Sequence, residues 1–261
     1  MRLGLGPIGV AELSRADLLA FAAAATESSF DAIWIAEARE VGAGGALGVT
    51  AMVAQHTPLR VGASVEVGLY HPLYLAEDIA VADLATGGRV EVLLRLPGPE
   101  ASQRYAVRMD RVGVREQLSV LASALGGAHI NFKGARLRVP ASLAANQPAP
   151  TRLALNPSPA QPVVPVWVEA NDEWTAEVAK RLGFGIAVPW SSGLRTPAAV
   201  GRWPALVLCG DDVPADRMLE TAGETAPYFL VRATTPEAAR SAGRRLAGPL
   251  RMPDFPDWVN A

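Results

Sequence analysis

With one cysteine, Cys209, the chain cannot form an internal disulfide, which removes any argument for an oxidising compartment. Histidine is almost as scarce, at three residues. No His/Asp/Glu/Cys cluster has metal-ligand spacing, and no Ser/His/acid or Cys/His set can be assembled, so metal and triad chemistry are disfavoured. No stretch approaches the roughly 18 consecutive apolar residues of a membrane span, and the N-terminus lacks the basic and apolar segments of a signal peptide. An excess of one charge is missing too: 24 Lys and Arg face 26 Asp and Glu with no run of like sign. No electrostatic footprint for nucleic acid or an anionic membrane results. These absences lead us to expect a cytoplasmic protein whose partner is a small-molecule substrate or another protein.

What is present favours one large domain. Half of the 261 residues are hydrophobic and 19% are charged, ample apolar material for a core. A barrel of eight strand–helix units takes about 250 residues as a single domain, and residues 1–261 are read as one. Short apolar runs alternate with segments of helical period, the pattern of a parallel sheet with helical crossovers. The strand candidates are Leu3 to Leu5, Ala32 to Ala36, Val61 to Val67, Val90 to Leu96, Val164 to Val168, Gly185 to Val188, Ala205 to Cys209 and Tyr228 to Arg232. Among the helices, Leu18, Phe21, Ala22 and Ala25 share a face that Ser14 can cap, Trp174, Val178 and Leu182 form a narrower stripe on a helix beginning near Asn171, and Thr235-Pro236 opens the last helix. The fold class is therefore α/β, a (β/α)8 barrel.

Two regions break the alternation. HINFKGARLRV (129 to 139) predicts a β-hairpin turning at Lys133-Gly134, followed by a Pro- and Ala-rich loop, so an insertion follows the fourth strand. From Pro189 to Pro204, the close spacing of Gly193, Pro197 and Gly201 predicts a missing or reduced helix and a shortened C-terminal third.

The segments FDAIWIAEA (30 to 38), TPLRVGASVEVGLYHPLYLAEDIAVADLATGGRVEV (57 to 92) and VPVWVEANDEWTAEVAKRLGFGIAV (164 to 188) follow one another in an order and spacing similar to the bacterial luciferase-like superfamily. Thr57/Arg60/Gly62, His71-Pro72 and Leu84 to Arg89 match its motifs, and the resemblance covers roughly residues 1 to 190. It implies a (β/α) barrel that binds FMN or a deazaflavin coenzyme at the C-terminal ends of the strands and catalyses monooxygenation or hydride transfer. It also implies a homodimer through helices of the N-terminal half, where Ala22 to Ala25 and Gly42 to Gly48 offer small-residue faces.

Carried over residue by residue, the resemblance points to Glu37 and His71 as catalytic candidates and to Ser64, Val65, Arg95, Gly98 and Asn171 as coenzyme contacts. Glu37 is either a base whose pKa burial raises or a carboxylate paired with Arg39 or Arg95. Where the family has a histidine after this position, the chain has Ala38. His71 precedes Pro72 in a loop opening a helix, where a structural hydrogen-bonding role competes with catalysis. Ser64-Val65 is the expected place of a non-prolyl cis peptide, against the alternative of an ordinary trans strand. Glu66 needs a partner if it points inward. After the fifth strand, Glu169-Ala170-Asn171-Asp172-Glu173 replaces the small residues that receive the flavin phosphate, so any flavin is expected to bind weakly.

The leading expectation is a luciferase-like flavin-dependent oxidoreductase or monooxygenase acting on a small organic substrate. The rival is a non-catalytic homologue, a partner subunit or binding protein that lost its coenzyme contacts and uses no cofactor. A phosphate-sugar barrel enzyme ranks last, because Cys209-Gly210-Asp211-Asp212 is acidic where a phosphate loop is needed.

Overall fold

The computed structural model describes residues 2–9, 13–37, 45–97, 109–140, 153–190, 203–210, 215–222 and 227–250. In chain order these form β1 (Arg2–Gly9), α1 (Arg15–Glu27), β2 (Ala32–Ala36), α2 (Ala46–Ala54), β3 (Arg60–Glu66), α3 (Pro72–Ala85) and β4 (Val90–Arg95). There follow α4 (Arg111–Leu125), β5 (Phe132–Lys133), β6 (Arg138–Val139), β7 (Val166–Glu169), α5 (Glu173–Arg181), β8 (Gly185–Pro189), β9 (Leu206–Cys209), α6 (Ala215–Ala222), β10 (Tyr228–Val231) and α7 (Pro236–Leu250). Eight strands close as β1-β10-β9-β8-β7-β4-β3-β2, every neighbouring pair parallel, and all eight expected strands are present with ends shifted by only a few residues.

Strands covered on both faces read as continuous apolar runs because neither side meets water. In β2 all five residues are buried: Ile33 and Ile35 face the helices, while Ala32 and Trp34 face the barrel interior. That interior is filled by large rings. Trp34 and Trp167 meet edge to face at 6.0 Å, and the Tyr228 ring stands 6.2 Å from the first and 5.8 Å from the second. The neighbouring strands supply glycine to make room, since a Cβ on Gly62 would lie 2.0 Å from the Trp34 ring.

Below the rings, at the N-terminal ends of the strands, Glu91 is wholly buried. Its carboxylate accepts from Arg2 Nη1 at 2.7 Å, Arg60 Nε at 2.5 Å and the Tyr228 hydroxyl at 2.9 Å, and that hydroxyl accepts from Trp34 Nε1 at 2.8 Å. Burial alone would raise the carboxyl pKa, but the two guanidinium groups overcome it and hold the group below its ordinary value. Residues matched to family motifs support the same scaffold. Arg89 donates to the carbonyls of Thr57 at 2.7 Å, Leu59 at 2.9 Å and Ala54 at 2.8 Å, pinning the turn before β3 to the start of β4.

The helix starts follow the sequence signals: Ser14 caps α1 within a capping box, and Thr235 Oγ1 accepts from Ala238 N at 3.1 Å ahead of α7. The hairpin exists but turns later than expected. Lys133 pairs with Arg138, so residues 134–137 make the turn, closed by Gly134 N to Leu137 O at 2.8 Å. The cause is Glu116 of α4, whose carboxylate accepts from the backbone N–H groups of Ala135, Arg136 and Leu137 at 2.6 to 2.9 Å. A second correction concerns α1. Ala22 and Ala25, expected at a subunit contact, are buried inside the subunit, where α1 packs against α7. The shortened segment expected before Pro204 falls on residues 191–202, and Gly42 to Gly44 on residues 38–44; both lie outside the described residues. Among the described residues, no helix is long and apolar enough to cross a membrane.

Cys209 ends β9 as a buried residue, and burial pushes its thiol up to about 12. The buried charges, in contrast, make a strong demand on each other. Glu91→Ala is expected to lower unfolding free energy by about 3–5 kcal/mol, because it removes the buried carboxylate that Arg2 and Arg60 share. Urea denaturation measures this; a loss below about 1 kcal/mol would show that the floor is not held by the ion network.

Candidate active site at the C-terminal mouth

Since rings and the Glu91 network fill the lower barrel, polar side chains that face the interior higher up are the candidates for chemistry. Alternation along β3 sends Val61, Ala63 and Val65 to the helix side and Gly62, Ser64 and Glu66 to the interior. On β4, Leu93 packs against the interior rings, so Arg95 two residues on has the same orientation and registers beside Glu66. Arg95 Nη2 stands 3.8 Å from Glu66 Oε1, which supplies the partner that Glu66 needed. Ser64 has no exposed surface, and its Oγ makes no hydrogen bond among the described residues.

Val65, expected at the coenzyme, turns the other way into the core beneath α2 and α3. Nor is Ser64-Val65 cis: the cis bonds among the described residues are Gly6-Pro7, Val139-Pro140 and Asn156-Pro157. The strand stays regular there because Ser64 is in register with both Ala36 and Leu93.

Glu37 follows β2 at the junction with β3, 6% exposed. Its Oε2 accepts from Glu66 N at 3.1 Å and its Oε1 from the Tyr70 hydroxyl at 3.0 Å. Burial raises its pKa above the ordinary carboxylate value, opposed by those two hydrogen bonds and the more distant Arg95. The pairing expected with Arg95 therefore goes to Glu66, while Arg39 lies outside the described residues. Tyr70 is a site residue that the sequence did not disclose; its only signal was an aromatic hydroxyl next to His71-Pro72. Glu37 and Tyr70 also line a cavity of about 290 Å³ between α2 and α3, walled by Val65, Leu75, Ala51 and Ala82.

His71 caps α3: its Nδ1 accepts from Leu73 N at 3.3 Å, its ring meets Tyr74 edge-on at 5.8 Å, and partial burial lowers its pKa. The hydrogen bond makes Nδ1 the acceptor, so the backbone contact favours the neutral ring. Asn171 is exposed just ahead of α5. Its neighbour Asp172 is the actual cap, accepting from Thr175 N at 2.7 Å, with Arg111 Nη2 3.6 Å from its other oxygen. The Thr175 hydrogen bond, then Arg111, hold Asp172 below the ordinary carboxylate value. Gly98 lies outside the described residues. Among the described residues no three His, Cys, Asp or Glu side chains gather as a metal site.

A sequence model of the family described as luciferase-like monooxygenase matches residues 4–206. No curated protein sequence matches the chain. Among solved structures, the monooxygenase RslO1 from Streptomyces bottropensis is similar over 96% of this chain and 98% of its own, with TM-score 0.72 and 17% identity. The coenzyme F420 dependent tetrahydromethanopterin reductase from Methanopyrus kandleri is similar over 96% and 99%, with TM-score 0.66 and 12% identity. The oxygenating constituent of 3,6-diketocamphane monooxygenase from Pseudomonas putida, solved in complex with FMN, is similar over 86% and 71%, with TM-score 0.58 and 16% identity. At these identities the likeness concerns the fold.

The raised pKa of Glu37 has a direct consequence for stability. The folded chain keeps this proton at a pH where the unfolded chain has lost it, so stability falls as pH rises from the ordinary carboxylate value through the raised one. Glu37→Gln keeps an acceptor oxygen and carries no charge. Its stability relative to the parent is expected to be lowest in acid and to climb through that window, read by urea denaturation between about pH 4 and 8. A difference that stays flat across the range would refute the assignment.

Proposed function

The chain belongs to the luciferase-like monooxygenase family, and from that premise we propose that its barrel mouth holds the isoalloxazine ring of a flavin or deazaflavin and oxidises or reduces a small organic substrate. The observation that carries this reading is the Ser64 hydroxyl, fully buried at the C-terminal end of β3 without a hydrogen-bond partner among the described residues. A buried polar group left unpaired costs about 1–3 kcal/mol, so a ligand acceptor that meets it recovers that cost. A ring of this kind, when bound, supplies hydride transfer or, with dioxygen, oxygenation. Ser64 would donate to an acceptor of such a ring, and Arg95, braced by Glu66, would supply positive charge beside it. Glu37, whose pKa burial raises, would give or take a proton at a carboxyl oxygen, with Tyr70 orienting the group by donating to Oε1. FMN and a deazaflavin coenzyme both remain consistent with this ring site, and the similar structures that name FMN and coenzyme F420 support such a coenzyme class.

One observation favours the rival reading of a non-catalytic homologue: the start of α5 is closed by Asp172 and does not fit a phosphate. The ring-binding experiment separates the two. Riboflavin and 5-deazariboflavin are expected to bind, seen by fluorescence quenching, and Ser64→Ala to weaken binding by about three- to tenfold, the worth of one hydrogen bond. Absence of binding by either compound would favour the non-catalytic homologue.

The same reading includes a homodimer, placed on α2 and α3 instead of α1. Tyr74 is 65%, Val81 52% and Leu84 47% exposed on α3, beside the cavity that Gly45 and Gly48 border, and a second copy of the chain covers this apolar face. Light scattering is expected to give a dimer mass for the parent and a monomer mass for the double variant Val81→Asp, Leu84→Asp. A monomeric parent at working concentration would remove the assignment.

A further inference from the structure

Resting on the isoalloxazine reading, we infer that the mouth selects a ring compound with a neutral, hydroxyl-rich side chain over its phosphate ester, so that riboflavin-type ligands bind in preference to FMN. An anion bound at a strand–helix junction uses the free amides of the helix's first turn. Here one such amide in each of three helices is already met by a side chain of the chain itself. In α5, Asp172 Oδ1 accepts from Thr175 N at 2.7 Å. In α4, Asp110 Oδ1 accepts from Gly113 N at 2.9 Å, and its other oxygen pairs with Arg136. In α3, the acceptor is His71 Nδ1.

The cation beside α5 is engaged as well. Arg111 stands 3.6 Å from Asp172 Oδ2, and its guanidinium lies 5.2 Å over the ring of Trp174. Glu169 at the end of β7 and Glu173 in the first turn of α5 add negative charge on the same side. The start of α2 has no side-chain cap, since Gly45 occupies that position, but the cavity it borders is lined by Glu37 and Asp78. Among the described residues, a phosphate dianion at the start of α4, α5 or α2 would have to displace a carboxylate or lie against one. Carboxylates accept hydrogen bonds only, so the chemistry they recognise is a neutral chain of hydroxyl donors.

The test titrates the protein with riboflavin and with FMN, following flavin fluorescence. Riboflavin is expected to bind about threefold or more tightly at about 0.01 M salt, with the gap narrowing at about 0.15 M as the Debye length falls from about 30 to about 8 Å. Asp172→Ser retains a capping hydroxyl and removes the charge. It is expected to strengthen FMN binding about fivefold while leaving riboflavin within about twofold, the sign following from the removed repulsion. FMN binding as tightly as riboflavin or more so would overturn the inference while leaving the isoalloxazine reading intact. An unchanged preference in Asp172→Ser would overturn the role given to that residue. Failure of both flavins to bind would remove the inference together with the reading beneath it.

Discussion

A carboxylate with no access to water sits on the floor of this barrel, and much of the structure follows from neutralising it. Glu91 on β4 is held by Arg2 of β1 and Arg60 of β3, and by the hydroxyl of Tyr228 on β10. Four strands are thereby fixed at a common height. A buried ion pair of this kind is no net gain over a well-packed apolar core; it enforces one arrangement, because losing the carboxylate leaves two guanidinium groups facing each other where water hardly reaches. Above it Trp34, Trp167 and Tyr228 fill the bore, and Gly62 and Gly185 give up their side chains so that the indoles fit. The floor is closed, so a ligand can reach the interior only from the C-terminal ends.

At that end the polar groups are arranged differently. Every acceptor on Glu91 is used, whereas Ser64 Oγ has no partner among the described residues and Arg95 meets Glu66 at a looser 3.8 Å. Glu37 completes the contrast: it has hydrogen bonds but, among the described residues, no cation in contact, so burial dominates and its proton is held more tightly than in water. A carboxyl whose proton burial retains and a buried hydroxyl without a partner among the described residues thus stand at the C-terminal ends of the strands, which is where barrel enzymes place their chemistry. On the same face the starts of α4 and α5 each have one first-turn amide met by an aspartate of the chain itself.

The motifs that made the family recognisable turn out to be scaffold. Arg60 belongs to the Glu91 network, Gly62 makes space for Trp34, His71-Pro72 starts α3, and Arg89 ties three carbonyls before β3. Each meets a specific demand of the fold, so the residue type and its spacing are readable. The expectations that failed concerned geometry set by neighbours. Ser64-Val65 is trans because two adjacent strands hold β3 in register; Val65 faces the helices by alternation; and the hairpin turns late because Glu116 claims three backbone N–H groups of the turn.

By itself the sequence determined the eight strands, the caps at Ser14 and Thr235, the hairpin and the family, since periodicity, turn chemistry and burial are properties of short segments. Only the tertiary structure decided that Glu66 takes Arg95, that Glu37 is gripped by Tyr70 and the amide of Glu66, that Asp172 closes α5 with Arg111 beside it, and that α3 and not α1 carries the exposed apolar face. These are choices among partners distant in the chain. Charge pairing and burial depend on which side chains the closed barrel brings within a few ångströms, and that proximity is not encoded at any single position.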